Sequence, residues 1–177
     1  GAYGRDSAPD APLPPHAGWS LARLVRTILD ETSVPRLRLS SVEPWDLSPE
    51  LLDLWPNSRL CRHLHLPLQS GCDDTMGRRY STERFEQLLT TIRQRIPGIS
   101  ITTDVIVGFP GESEAEFEAS FAFIEKMRFA RLHVFRYSPR PGTPAANWIG
   151  SSSPRDQSRV KPGLVPNPIP PPVAQMR

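Results

Sequence analysis

Four short segments of this chain alternate apolar and polar residues with a period of two, and a helix-type segment precedes each of them. The strand-type segments are "RLRLSSVEP" (36–44), "RHLHLPLQSG" (62–71), "SITTDVIVGF" (100–109) and "RLHVFRYS" (131–138). The first helix follows the cap residue Ser20, with Leu21, Leu24, Val25, Ile28 and Leu29 on one face. "SPELLDLW" (48–55) is short, with Ser48 as cap and Pro49 in first position. Ser81 to Ile96 sets Phe85, Leu88, Leu89, Ile92 and Ile96 on one face. In the fourth, Ser113 and Glu116 form a capping box ahead of Phe117, Phe121, Ile124 and Met127. The order is α-β-α-β-α-β-α-β with short connections, which implies parallel strands joined by crossover helices.

The strands are one-sided, and that narrows the fold further. A doubly wound sheet carries helices on both faces, so its strands are apolar throughout. Here Leu37, Leu39, Leu64, Leu66, Leu68, Val105, Val107, Leu132 and Val134 fall on one side. Arg36, Arg38, Ser40, His63, His65, Gln69, Thr102, Asp104, Arg131, His133, Phe135 and Tyr137 fall on the other. Charged groups in a sealed interior are costly unless paired. The pattern therefore predicts an α/β fold, a partial (β/α) barrel whose polar side lines a ligand cavity at the C-terminal ends of the strands. An antiparallel sheet with one wet face would alternate in the same way, but the intervening helices argue against it. Arg38, His65, Gln69, Asp104 and Tyr137 are expected to share the cavity, with Leu39, Leu66, Val105 and Val134 under the helices. Asp104 is the only acidic residue on the inward face, so it should meet an Arg or His there, or hold a cofactor amine or hydroxyl.

Composition marks the ends. Residues 1–17 read as a loop and a Pro-rich linker, "APDAPLPPHAG", and residues 150–177 as a disordered, Pro-rich tail. The folded unit is expected at 18–149. Cys61 and Cys72 are the only two cysteines and lack CxxC spacing, so free thiols in a reducing, cytoplasmic setting are expected. No apolar run is long enough for a membrane span, and the N-terminus lacks the apolar core of a signal peptide. It does not begin with Met, which suggests a fragment. The net charge is +2, but Arg heavily outnumbers Lys. That balance suits RNA phosphate and equally follows from biased genomic composition.

Three stretches carry candidate chemistry. His63 and His65 lie on one side of a strand and His133 on another, a conceivable metal set; hydrogen-bonded interior histidines are the preferred reading, and no metal is assigned. Gln69-Ser70-Gly71 ends a strand, where it serves as ordinary turn chemistry or binds a cofactor. "TTDVIVGFPGES" (102–113) runs from a strand through Gly108 and Gly111 into a helix N-terminus, either an anion-facing site or a tight corner. It has no P-loop Lys-Ser/Thr, which argues against a triphosphate site.

Together "RLRLSSVEP", "CRHLHLPLQSG", "GRRYSTERF", "ITTDVIVGFPGESEAEFEAS" and "RLHVFRYSPRPGTPAA" closely resemble the radical-SAM core of the tRNA methylthiotransferases, most of all the variety that modifies threonylcarbamoyladenosine next to the anticodon. "GAYGRD" resembles the loop after the second barrel strand of that family. The resemblance implies a radical-SAM barrel, here incomplete at its N-terminal side, that binds S-adenosyl-L-methionine and a [4Fe–4S] cluster and acts on tRNA. It also implies that Gln69, Ser70, Asp104 and the Gly108–Glu112 backbone, including Gly111 and Glu112, face the S-adenosylmethionine. Four departures stand out. The family's CxxxCxxC cluster loop is missing, and so are its N-terminal cluster domain and C-terminal RNA-binding domain. The stretch around Asp73 to Arg79 is also about three residues shorter. The expected function is thus part of a tRNA-modifying methylthiotransferase. The alternatives are an inactive remnant without a cluster, or another (β/α) barrel enzyme.

Overall fold

The computed structural model describes residues 20–76, 80–143 and 145. The expectations for 1–17 and 150–177, and part of that for Asp73 to Arg79, fall outside these residues. Helix α1 spans Leu21–Glu31, and the Ser20 hydroxyl accepts the Arg23 N–H at 3.2 Å. Its buried face is Ala22, Val25 and Leu29. The guanidinium of Arg59 closes its C-terminal end by donating to the carbonyls of Leu29, Thr32 and Val34. Helix α2, Pro49–Leu52, is capped by Ser48 and buries Leu51 and Leu52.

The sheet is parallel with order β1-β2-β3, where β1 is His63–His65, β2 Ser100–Val107 and β3 Arg131–Arg136. Helices α3 (Asp73–Met76) and α4 (Thr82–Arg95) connect β1 to β2, and α5 (Glu114–Met127) connects β2 to β3. Parallel pairing through crossover helices is the α/β layout that the alternation predicts.

Two predicted strands are shorter than expected, each because the register slips. Residues 36–44 form only bridges, Leu37 to Leu60 and Ser41 to His65. The offset between partners is 23 residues at the first bridge and 24 at the second, so no continuous ladder runs between them. The predicted strand 62–71 is regular only over His63–His65. Pro67 has no N–H to give the ladder. The offset is 37 residues at His65–Thr102 and 36 at Gln69–Val105, so one extra residue bulges out between them. The buried hydroxyl of Thr103 bridges the gap: it donates to the Leu66 carbonyl at 2.6 Å and accepts the Leu68 N–H at 2.9 Å. Beyond the bulge, the Gln69 N–H donates to the Asp104 carbonyl at 2.8 Å and the Ile106 N–H to the Gln69 carbonyl at 2.7 Å.

One face of the sheet is the core. Leu64, Leu66, Leu68, Ile101 and Val105 are fully buried in one cluster with Phe85, Leu89 and Ile92 of α4 and Ile124 and Met127 of α5. Leu132 and Val134 of β3 are half-buried against it. The opposite face carries His63, His65, Thr102, Asp104 and His133. The register of β2 is therefore the one its alternation predicts: Val105 under the helices, Asp104 on the polar face. Among the described residues no helix is long and apolar enough to cross a membrane.

Removing the Thr103 hydroxyl while keeping its shape tests this arrangement. Thr103→Val leaves a buried N–H and a buried carbonyl without that partner and should cost about 1–3 kcal/mol. Thr103→Ser keeps the hydroxyl and should cost less. Urea denaturation of both variants measures it; equal stabilities would show that the hydroxyl is not what holds the bulge.

Candidate functional site

The polar face is organised in levels along the strand direction. At the N-terminal end the chain before β1 and the 36–38 segment enclose a cavity of about 440 Å³, lined by Arg36, Arg38, Trp55, Cys61, Arg62 and His63 among others. The Arg38 guanidinium lies 3.0 Å from His63 Nε2. Arginine has no acceptor, so that nitrogen must receive the bond. Burial and, after it, the neighbouring Arg38 hold His63 below the ordinary histidine range, which keeps it neutral. Arg38 thus lines this cavity beside His63, at the end of the strands opposite to the one expected, and His65, Gln69, Asp104 and Tyr137 do not line it with Arg38, because the segment carrying Arg38 runs beside the chain that enters β1.

In the middle, three strands deliver one group each. The Asp104 carboxylate of β2 lies between two imidazoles, with Oδ2 3.1 Å from His65 Nε2 of β1 and Oδ1 3.0 Å from His133 Nδ1 of β3. The two rings stack with centroids 5.6 Å apart. Thr102 Oγ1 lies 2.9 Å from His65 Nδ1 and so fixes the ring. Asp104 does meet histidines on the inward face, and both its oxygens are engaged by them. His133 was placed on this face by its alternation, but its pairing with Asp104 needs the β2–β3 register, in which the two are direct partners.

At the C-terminal end lie the turns. Gln69 has a left-handed backbone, φ 71°, which ends the strand path and turns the chain into Ser70 and Gly71. Ser70 is buried, and its hydroxyl accepts the Cys72 N–H at 3.1 Å. The Gly71 N–H donates to Ser120 Oγ of α5 at 2.8 Å. After β2, Gly108 and Gly111 take positive φ of 73° and 87°. The Gly108 N–H is held at 2.7 Å by the carboxylate of Glu112, so the turn is closed by its own side chain. Burial pushes the Glu112 carboxyl above its ordinary range, against the lowering effect of its backbone hydrogen bonds. Tyr137 packs edge-on to Phe109 at 5.1 Å between centroids.

Sequence reasoning passed over one residue here. Glu43 follows the 37–41 segment, and its Oε2 is buried without a hydrogen-bond partner. An acidic residue just before a proline at the end of a strand-type segment was its only signal. Tyr137 Oη is buried and unpartnered as well. Buried polar atoms without partners are rare and suit a polar ligand at this end of the sheet. A [4Fe–4S] cluster is another matter. Cys61 precedes β1 and Cys72 follows the Gln69 turn, so the two thiols lie at opposite ends of one strand path and do not share a site. Three thiolates on one cluster are not available from them.

Comparison with known proteins adds the family context. The model of the Radical SAM superfamily matches residues 14–124. The chain is 43% identical over 154 residues to the threonylcarbamoyladenosine tRNA methylthiotransferase MtaB of Thermotoga maritima, covering 85% of this chain and 33% of that protein. It is also 43% identical over 149 residues to the tRNA-2-methylthio-N(6)-dimethylallyladenosine synthase of Corynebacterium urealyticum, covering 82% and 27%. It thus spans about a third of the first of these relatives and less of the second. The fold resembles that of coproporphyrinogen III oxidase (HemN) from Escherichia coli, a radical SAM enzyme, with a TM-score of 0.61 at 21% identity over 77% of this chain and 34% of that one. It also resembles the radical S-adenosylmethionine methyltransferase TsrM from Kitasatospora setae, with a TM-score of 0.55 at 21% identity over 70% and 25%.

The Glu112 carboxyl yields a pH prediction. Its folded-state pKa lies above the ordinary value of 4.5, so the folded chain holds this proton more tightly than the unfolded chain. Its contribution to stability therefore falls as pH rises from the unfolded to the folded pKa, and stays lowered above that. Glu112→Gln keeps an acceptor for the Gly108 N–H and removes the charge. It should be at least as stable as the parent at neutral pH, and should lack this residue's share of the loss above pH 4.5. Melting temperatures between about pH 4 and pH 8 compare the two. A variant clearly less stable than the parent at neutral pH contradicts it.

Proposed function

We propose, from the premise that this chain belongs to the Radical SAM superfamily, that it forms part of the catalytic domain of a tRNA methylthiotransferase working in the cytoplasm. Its substrate on this reading is threonylcarbamoyladenosine next to the anticodon. The observation that carries the reading is the 43% identity over 154 residues to the Thermotoga maritima enzyme. Dimethylallyladenosine, the nucleoside named for the equally identical corynebacterial relative, is the second reading.

In this role the C-terminal end of the sheet holds S-adenosyl-L-methionine, the source of the radical when bound to a cluster. The turn at Gln69 and Ser70 and the Gly108–Gly111 turn closed by Glu112 form its walls, and Glu43 and Tyr137 supply the buried polar atoms without partners. His65 and Asp104 lie one level below, and Arg38 lies at the far end. The residues of this chain bind and orient; no step is assigned to the cluster, because Cys61 and Cys72 do not fit one.

A chimera tests the reading. Residues 20–143 would replace the matching stretch of the Thermotoga maritima enzyme, and the nucleosides of tRNA from a host lacking that activity would be analysed by mass spectrometry. The 2-methylthio derivative of threonylcarbamoyladenosine is the expected product. The methylthio derivative of dimethylallyladenosine would shift the substrate to the second reading. A folded, cluster-loaded chimera that yields neither product overturns the proposal. The 177-residue chain itself, reconstituted anaerobically with iron and sulfide, should give no stoichiometric cluster by iron counting and visible absorbance.

A further inference from the structure

The middle level of the polar face is chemically distinct from the turns above it. Among the described residues His65, Asp104 and His133 form a group of three metal-capable side chains, each with a ligand atom within 4.8 Å of those of the other two. We propose that His65, Asp104 and His133 form a binding site for one divalent first-row transition ion of the zinc, cobalt or iron(II) type, with further coordination positions open to solvent or a substrate oxygen.

The donor chemistry points this way. Two neutral imidazoles and one carboxylate are the ligands such ions take, and a set of two histidines and one carboxylate with open positions is a recurring arrangement for them. Ligand atoms around one ion at bond lengths of about 2.0–2.2 Å stand roughly 3–3.6 Å apart. The two His–Asp contacts have that spacing, His65 Nε2 to Asp104 Oδ2 at 3.1 Å and His133 Nδ1 to Asp104 Oδ1 at 3.0 Å, so each imidazole is set against its own oxygen of a carboxylate that can offer both. No pair in the group is more than 4.8 Å apart, so drawing all three onto one ion takes a shift of at most about 1–2 Å, within reach of the His133 side chain, which is 45% exposed.

The surroundings support it independently. The three side chains come from three adjacent, hydrogen-bonded strands, so the sheet fixes their spacing. Thr102 Oγ1 is the hydrogen-bond partner of His65 Nδ1 and leaves Nε2 directed at Asp104. That is the outer-shell hydrogen bond which orients a ligating histidine. Where Nδ1–H donates its hydrogen bond to Thr102 Oγ1, the Nε2 lone pair faces the carboxylate directly, and a cation between the two relieves that repulsion. The position is neither sealed nor washed out: the His65 and Asp104 side chains are 12% and 24% exposed. An ion can enter, and its attraction to the carboxylate is only partly screened.

The site does not depend on the methylthiotransferase reading, because the three residues are complete within this chain. The test uses the untagged 177-residue chain. Calorimetric titration with Zn²⁺ and visible absorption with Co²⁺ should report one ion per chain. The cobalt spectrum should lack a thiolate charge-transfer band, because neither cysteine belongs to the set. Asp104→Asn and His133→Ala should each abolish stoichiometric binding, while Thr102→Val should weaken it by about 10–100-fold. Far-UV circular dichroism confirms the fold of each variant, and His133→Gln replaces His133→Ala if that variant misfolds. The proposal is overturned if the parent binds no tighter than a folded Asp104→Asn, His133→Ala double variant, or if a thiolate band shows the ion on Cys61 or Cys72.

Discussion

Everything on the polar face depends on how a buried threonine replaces a missing piece of ladder. The Thr103 hydroxyl donates to the Leu66 carbonyl and accepts from the Leu68 N–H across the point where Pro67 interrupts pairing. Without it two buried backbone groups would lose this partner, at a cost comparable to a large share of a small domain's stability. With it the chain absorbs one extra residue and rejoins β2 at Gln69. Both sides of the bulge matter. Before it, His65 stays in register with Thr102 and stands beside Asp104. After it, Gln69 arrives in a left-handed conformation and turns the chain across the end of the sheet. A regular strand from 62 to 71 would pair Leu68 with Val105 and carry Gln69 one position too far.

Much of this was legible in the residues. Period-two alternation separated Val105 from Asp104 correctly, because only one side of the sheet is covered by α4 and α5 and an aspartate cannot sit there unpaired. Ser20, Ser48, Ser81 and Ser113 each cap the helix they precede. The slips of register were not legible. Alternation continues unbroken through "HLHLPLQ", and the proline alone does not say that a threonine 36 residues later will supply the missing bonds. Glu43 and the His133–Asp104 contact were hidden for the same reason. Both follow from which residues stand side by side on neighbouring strands, and register is a property of pairs of segments.

The arginine excess also looks different in three dimensions. Arg59 closes the end of α1, and Arg93 donates to the carbonyls of Met127 and Arg128 at the end of α5. Arg62 donates to the Pro97 carbonyl at 2.6 Å. Arg95 reaches the Pro49 carbonyl and the Asp53 carboxylate. Guanidinium forks at helix and turn ends satisfy carbonyls that would otherwise lack partners. Composition alone could not distinguish that structural use from contact with RNA phosphate, and these four residues serve the first.

Helix α5 then ties together the two turns at the C-terminal end of the sheet. Its cap Ser113 comes directly after the turn that Glu112 closes, and its Ser120 hydroxyl receives the Gly71 N–H from the other turn. The approach at Gly71 is so close that a Cβ there would lie 2.7 Å from the Ser120 carbonyl oxygen and 3.0 Å from Phe123 Cβ. A glycine is required at that position for packing, quite apart from its φ. One rigid helix therefore sets the distance between the Gln69–Ser70 turn and the Gly108–Gly111 turn. A substitution that pushes α5 away from Gly71 would move one of these turns against the other. The histidine cluster is held by the sheet beneath, where β1, β2 and β3 keep their ladder, and it should be far less sensitive to that movement.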